Sequence, residues 1–265
     1  MLFESLVDRG FQIEFHAHAE AILTHDFPLA IEELESALSE TTIPIEEIIA
    51  GGGGEAKGTQ RLRRALAARQ RPTTTFVVER TINGEPRESQ SHKVDHVRTF
   101  EDGSRIALEI EWNNKDPFFD RDLENFKRLH ADGAISVGVI ITRGRSLHEG
   151  MRPMVGRFLD DREIDSLEDI AAWGYTPTAR QRQSIVQRVS RAANPIPFRD
   201  ALADQFVNDK FGEATTHWRK LEDRVHRGVG NPCPLLLVGL PESIITFGEG
   251  DEVLDELLDD DAKGE

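Results

Sequence analysis

A single cysteine, Cys233, in a chain of 265 residues excludes an intramolecular disulfide framework. No apolar run approaches the roughly 18 residues that a membrane-spanning helix needs, and the first residues lack the apolar centre of a secretory leader. The expectation is a soluble, cytoplasmic protein with no membrane partner. Internal repeats are missing as well. Cations are also in short supply, with 32 Lys and Arg against 48 Asp and Glu, a net charge of −16. That balance argues against a nucleic-acid partner until it is divided along the chain. Residues 249–265 hold nine carboxylates and one lysine, so this stretch accounts for −8 and is expected to be a solvated, disordered tail. The remainder carries local basic groups: Arg61, Arg63 and Arg64; Arg143 and Arg145; Arg180, Arg182, Arg188 and Arg191. Such patches matter more than the sum.

What is present in quantity is apolar residue, 38% of the chain, enough for the core of one large domain. Its most informative arrangement lies between Lys93 and Asn114. Val94 to Phe100 and Arg105 to Trp112 favour strand, and Glu101-Asp102-Gly103 supplies the glycine of a three-residue hairpin loop. If Phe100 and Ser104 close that loop, Asp95 falls opposite Glu109. Side chains alternate along a strand, so Glu111 joins them on one face while Leu108 and Ile110 take the other. Three like charges converging repel one another unless a cation neutralises them, and Mg²⁺ takes oxygen ligands of this kind. A hairpin with a solvated acidic face would give the same pattern. The apolar run Ile106 to Ile110 and the indole of Trp112 favour a buried setting instead.

Downstream, Leu123, Phe126 and Leu129 have helical spacing, Asp132-Gly133 is a stop signal, and Ile135 to Thr142 reads as a buried strand. Hairpin, helix and buried strand predict an α/β (α+β) fold in which a mixed sheet is flanked by helices, the layout of the PD-(D/E)xK restriction endonuclease-like core.

On these residues, VDHV followed by ALEIEWNN and then VGVIITRG, the chain resembles the BglII/BstYI group of type II restriction endonucleases, which is related in fold to BamHI. HAHAEAIL, IEELESAL and IPIEEII, ahead of a glycine-rich stretch and GTQRLRRAL, resemble the amino-terminal helical part of the group. The likeness runs from about residue 11 to residue 145, and LLLVGL at Leu235 to Leu240 matches a late strand loosely.

The resemblance implies Mg²⁺-dependent hydrolysis of phosphodiester bonds in double-stranded DNA at a short palindromic site, leaving a 5′-phosphate. Asp95 and Glu109 become the metal-binding acids. Glu111 takes the place usually held by lysine, where members of the group carry Glu or Gln. Asp102, seven residues before Glu109, is a second candidate for the first acid, although an Asp-Gly turn explains it sufficiently. Asn113, Asn114 and Lys115 follow the catalytic strand, and Arg143 and Arg145 follow the buried one, so these five are the expected DNA contacts. A palindromic target implies a homodimer, and the group tends toward sites centred on GATC. Two other classes stay open: a repair or structure-selective nuclease on the same core, and a catalytically silent DNA-binding module.

The expected organisation is one domain over residues 1–248. Its parts are a helical amino-terminal portion at 1–70, a catalytic core at 74–145 and a helical region at 146–248 for dimer or DNA contacts. Met151 to Leu159, Thr178 to Val189 and Phe198 to Val225 read as helices. GGGGEAKGT at Gly51 to Thr59 fails as a phosphate loop, because Ala56 and Gly58 stand where glycine and Ser/Thr are required. His16 and His18 lack partners for a zinc site and read as helix-start or core-edge residues.

Overall fold

A computed structural model describes residues 2–50, 56–69, 71–83 and 85–248, with backbone only at 80–82, 86–88 and 90. The acidic tail from residue 249, the Gly51 to Gly54 stretch and Gly84 lie outside the described residues. In chain order the elements are α1 (Glu4–Asp8), β1 (Gln12–His16), α2 (Ala19–Asp26), α3 (Pro28–Ser39), β2 (Ile43–Pro44), α4 (Ile45–Ile49), α5 (Lys57–Ala68), β3 (Thr74–Ile82), β4 (Glu85–Val94), β5 (His96–Thr99), β6 (Arg105–Glu111), α6 (Phe118–Ala131), β7 (Val137–Arg143), α7 (Arg145–Asp161), α8 (Leu167–Ala172), α9 (Ala179–Ser190), α10 (Phe198–Phe211), α11 (Trp218–His226), β8 (Leu235–Leu240) and β9 (Ile245–Thr246). The chain forms two compact units, one from residues 1–40, 61–145 and 216–241, the other from 41–60, 146–215 and 242–265.

The first unit is built on a five-stranded mixed sheet in the order β1-β8-β7-β6-β5. β6, β7 and β8 run parallel, while the two edge strands, β1 and β5, pair antiparallel with their neighbours. The parallel step from β6 to β7 requires a crossover, which α6 provides. All seven residues of β7 are buried, in keeping with a central strand covered on both faces. On one face Phe119, Leu123, Phe126 and Leu129 of α6 meet Trp218, Leu221 and Val225 of α11 in a cluster that includes Ala107, Ile140, Leu235 and Leu237 of the sheet. Each fully buried Phe or Leu there contributes about 1.5–3 kcal/mol. Close approach depends on glycine: a Cβ at Gly138 would stand 2.4 Å from the Phe126 ring, and one at Gly239 would stand 2.8 Å from Trp218.

The β5–β6 hairpin has the expected register. His96 pairs with Leu108, Val97 with Ala107, Arg98 with Ile106 and Thr99 with Arg105. Phe100 N–H donates to Ser104 O at 3.0 Å, and Gly103 supplies the left-handed residue at φ +84°. β3 and β4 form a separate antiparallel pair.

Two expectations need correction. The first 70 residues are not wholly helical: Gln12–His16 is an edge strand of the main sheet, its Ile13–Phe15 alternation being the period of a strand. The helix expected from Phe198 to Val225 is two helices, because Gly212 leaves helical geometry with ψ 175°.

The second unit contains α7 to α10 and the short parallel pair β2–β9. Capping boxes at Ser166–Asp169 and Thr178–Gln181 start α8 and α9 by satisfying their free N–H groups. Glu46, fully buried, accepts from Arg162 at 3.0 Å, and Tyr175 meets Phe206 edge-on at 4.9 Å. Among the described residues no helix is long and apolar enough to cross a membrane.

Candidate active site

The hairpin pairing ends at His96 and Leu108, and just beyond it the Asp95 N–H points at Glu109 Oε2 at 3.4 Å. Asp95, Glu109 and Glu111 share the sheet face that carries Val97 and Ala107, the face packed under α6. Glu109 is 5% exposed and Glu111 2%, so the acidic face of this hairpin is not a solvated one. Asp102 is not brought to this place. It is exposed in the turn, where its Oδ1 accepts from the Ser104 N–H at 2.9 Å and hydroxyl at 2.6 Å.

A fourth carboxyl, Asp122, completes the cluster and was missed by the strand-based reading. It projects from α6, is 1% exposed, and its Oδ2 is buried without a hydrogen-bond partner. Its sequence signal is a carboxylate at helical spacing within the apolar stripe Phe119, Leu123, Phe126. Arg121 Nε donates to Asp122 Oδ1 at 2.8 Å, while its Nη2 lies 3.6 Å from Glu111 Oε1. That guanidinium is half-exposed and rests 4.3 Å above the Phe118 ring.

Burial and mutual repulsion act on these acids together. Glu109 is pushed up to about 10, first by burial and then by the charges of Asp122 and Asp95. Glu111 is pushed up to about 8, again by burial first and then by Asp122, while the hydrogen bond from Asn114 pulls it back. Burial raises Asp122 too, against the opposing pull of Arg121. Oxygen donors without sulfur or imidazole, an orphaned carboxylate oxygen and uncompensated negative charge together suit a hard divalent cation. Asp95 and Glu109 are adjacent and can hold one.

The expected DNA contacts divide. Asn113, Asn114 and Lys115 are exposed immediately after β6. Asn114 Nδ2 also donates to Glu111 Oε2 at 2.8 Å, which ties it to the carboxyl cluster. Arg145 is exposed and its Nη2 donates to both carboxylate oxygens of Glu222, at 2.6 and 2.5 Å. Arg143 is a correction: it is 0% exposed, and a side chain in that position reaches no phosphate. Its Nε donates to Trp112 O and its Nη2 to Thr216 O, each at 2.7 Å. Burial lowers its pKa to about 9. It fixes the exit of β6, helped by the Thr216 N–H donating to Asn114 O at 2.8 Å.

A family model described as restriction endonuclease BglII/BglIII matches residues 11–240. The match extends well past residue 145 and takes in β8. No curated protein matches the chain.

Proposed function

The chain belongs to the BglII/BglIII restriction endonuclease family, a family of site-specific deoxyribonucleases that bind double-stranded DNA, and on that premise we propose a Mg²⁺-dependent type II enzyme whose cleavage centre is Asp95, Glu109 and Glu111. The observation that carries the proposal is the burial of Glu109 and Glu111, together with Asp122 and beside the half-buried Asp95, under so little opposing charge.

Asp95 and Glu109 are the residues that would hold one or two Mg²⁺. The bound metal would polarise the scissile phosphate and lower the pKa of a water. Glu111 orients that water and accepts its proton as the oxygen attacks phosphorus in line. The phosphorus–O3′ bond breaks, the 3′ oxygen takes up a proton, and the products are a 3′-hydroxyl and a 5′-phosphate. Asn114 fixes the Glu111 carboxylate from one side. Arg121, held over Phe118, stands where it can meet a phosphate oxygen as well as Glu111.

Recognition is assigned to the segment leaving β6 and to the start of α7. Asn113 and Lys115 project there, and Arg145 would exchange Glu222 for a phosphate or a guanine edge. The target is a short palindrome with a GATC centre, an expectation carried by the family resemblance. Isologous pairing of two copies meets such a target with one active site per strand. Residues 1–248 act in this reading as one nuclease domain, since the family match spans segments of both compact units.

Digestion of unmethylated phage DNA with purified protein, in Mg²⁺ and in EDTA, beside Glu109→Ala, tests the proposal. Discrete Mg²⁺-dependent fragments that disappear in the variant, with ends that ligate through a 5′-phosphate, are expected. An absence of cleavage on unmethylated, methylated and branched DNA alike would overturn it.

A further inference from the structure

The opposite edge of the same sheet carries a second group of ligand-bearing side chains. Glu14 and His16 are two apart on β1 and pair with Leu237 and Leu235, so both lie on the sheet face that α6 and α11 cover. His226, the last residue of α11, joins them there although 212 residues separate it from Glu14. His16 Nε2 stands 2.8 Å from Glu14 Oε1, and His226 Nε2 stands 3.2 Å from the same oxygen. The ligand atoms of all three lie within 4.8 Å of one another.

Those separations match a metal centre. With metal–ligand bonds of roughly 2.0–2.1 Å, neighbouring donors around a tetrahedral ion are roughly 3.3 Å apart. A second observation points the same way: His16 Nε2 is sealed from solvent and makes no hydrogen bond, despite its closeness to the Glu14 oxygen. A buried ring nitrogen beside a carboxylate, but not aligned to donate to it, is disposed as a ligand rather than as half of an ion pair.

We propose that Glu14, His16 and His226 bind a divalent transition-metal ion of the Zn²⁺ class. Two imidazoles and one carboxylate select such ions over Mg²⁺, which prefers oxygen throughout. The fourth position of a tetrahedral ion is left for water. β1 lies three strands from β6, about 14–15 Å at the usual strand spacing, so this ion is distinct from any held by Asp95 and Glu109. Its effect is to clamp the edge strand to the end of α11. Joining segments so distant in sequence makes metal binding a contribution to folding.

The test uses full-length protein carrying Glu109→Ala, stripped with chelator and returned to excess Mg²⁺, so that the catalytic acids do not compete for the probe. Zn²⁺ is titrated by calorimetry and Co²⁺ by visible absorption, with and without His226→Ala. His226 is 59% exposed, so its removal leaves the core intact. His16→Ala is the second variant, and circular dichroism of the metal-free proteins checks that both fold. With His226 present the protein is expected to bind one more equivalent of Zn²⁺ and to show a tetrahedral Co²⁺ band, along with a Zn²⁺-dependent rise in Tm. Loss of His226 should weaken this site by more than the roughly 10- to 100-fold that loss of an outer-shell partner costs. Equal stoichiometry and affinity with and without His226 would reduce the cluster to a surface ion pair and overturn the inference. Neither result touches the Mg²⁺-dependent cleavage proposed above, which is read on DNA.

Discussion

The two faces of the β5–β6 hairpin bury charge in opposite ways. Toward α3, Glu33 lies between two guanidiniums, Arg71 at 3.2 Å and Arg98 at 3.1 Å, and the Arg71 carbonyl meets His96 Nδ1 at 2.9 Å. Toward α6, Asp95, Glu109, Glu111 and Asp122 crowd together with Arg121 reaching only to the rim. The first network contains its own counterions, although burial still lowers Arg71 to about 10. The second has Arg121 alone for four carboxyls, and burial raises Glu109, Glu111 and Asp122. One face therefore anchors the hairpin without help, while the other suits the cation proposed above, and alternation along the strand keeps the two apart.

The sharpest way to break this contrast is to remove a central acid from each face. Glu109→Gln should lower cleavage by at least about 10³-fold, since metal stabilisation of the transition state is worth several kcal/mol. The same variant should raise the Tm of the metal-free protein at pH 8, because folding no longer has to protonate a carboxyl that is ionised in the unfolded chain. Glu33→Ala should do the reverse. Leaving Arg71 buried without its partner costs about 3–5 kcal/mol, read from urea unfolding. Cleavage per folded molecule should survive at low temperature. If both variants lose stability equally, the two faces do not differ in the way described.

pH sharpens the comparison further. Glu109 is raised in the folded state from 4.5 to about 10, so its protonated form is the one the metal-free fold prefers. Stability from this group is fully present below 4.5 and is lost as pH climbs toward 10. The Tm of EDTA-treated protein should therefore fall across that range, and Mg²⁺ should restore it most at the alkaline end. Glu109→Gln should flatten the slope. A metal-free Tm that rises with pH through the same window, in a way that depends on Glu109, would contradict the assignment.

The hairpin was legible in the sequence because its loop chemistry and its period-2 pattern fix the register independently and agree. Asp95 and Glu109 were singled out as candidates by extending that register one step past His96 and Leu108. Asp122 required a helical period to be read on a different element, where it occupies a place among Phe119, Leu123 and Phe126 that apolar residues usually fill. Arg143 misled because an arginine ending an apolar strand, followed by glycine, looks like the start of a loop. Its burial is set by Trp112 and Thr216, the latter 73 residues away, and no local pattern carries that information. His16 was visible but without partners, since His226 reaches it only through the antiparallel placement of β1 beside β8.

Asn114 gives the smallest effect and the finest discrimination. Adjacent to Asn113 in sequence, it was expected with it to read bases, yet its amide donates to Glu111 Oε2 at 2.8 Å. A hydrogen bond to a charged group is worth about 1.5–3 kcal/mol, so Asn114→Ala should slow cleavage about tenfold or somewhat more near neutral pH. Losing this donor removes an interaction that favours the ionised carboxyl. The Glu111 pKa should therefore rise, and the acid limb of the pH–rate profile should move to higher pH. The cleavage sites should be unchanged, because Asn114 acts through Glu111, whereas Asn113→Ala should alter site preference and leave the acid limb in place. Cutting at relaxed sequences by Asn114→Ala, with an unshifted pH profile, would return Asn114 to the base-reading role and leave Glu111 to be held by Arg121.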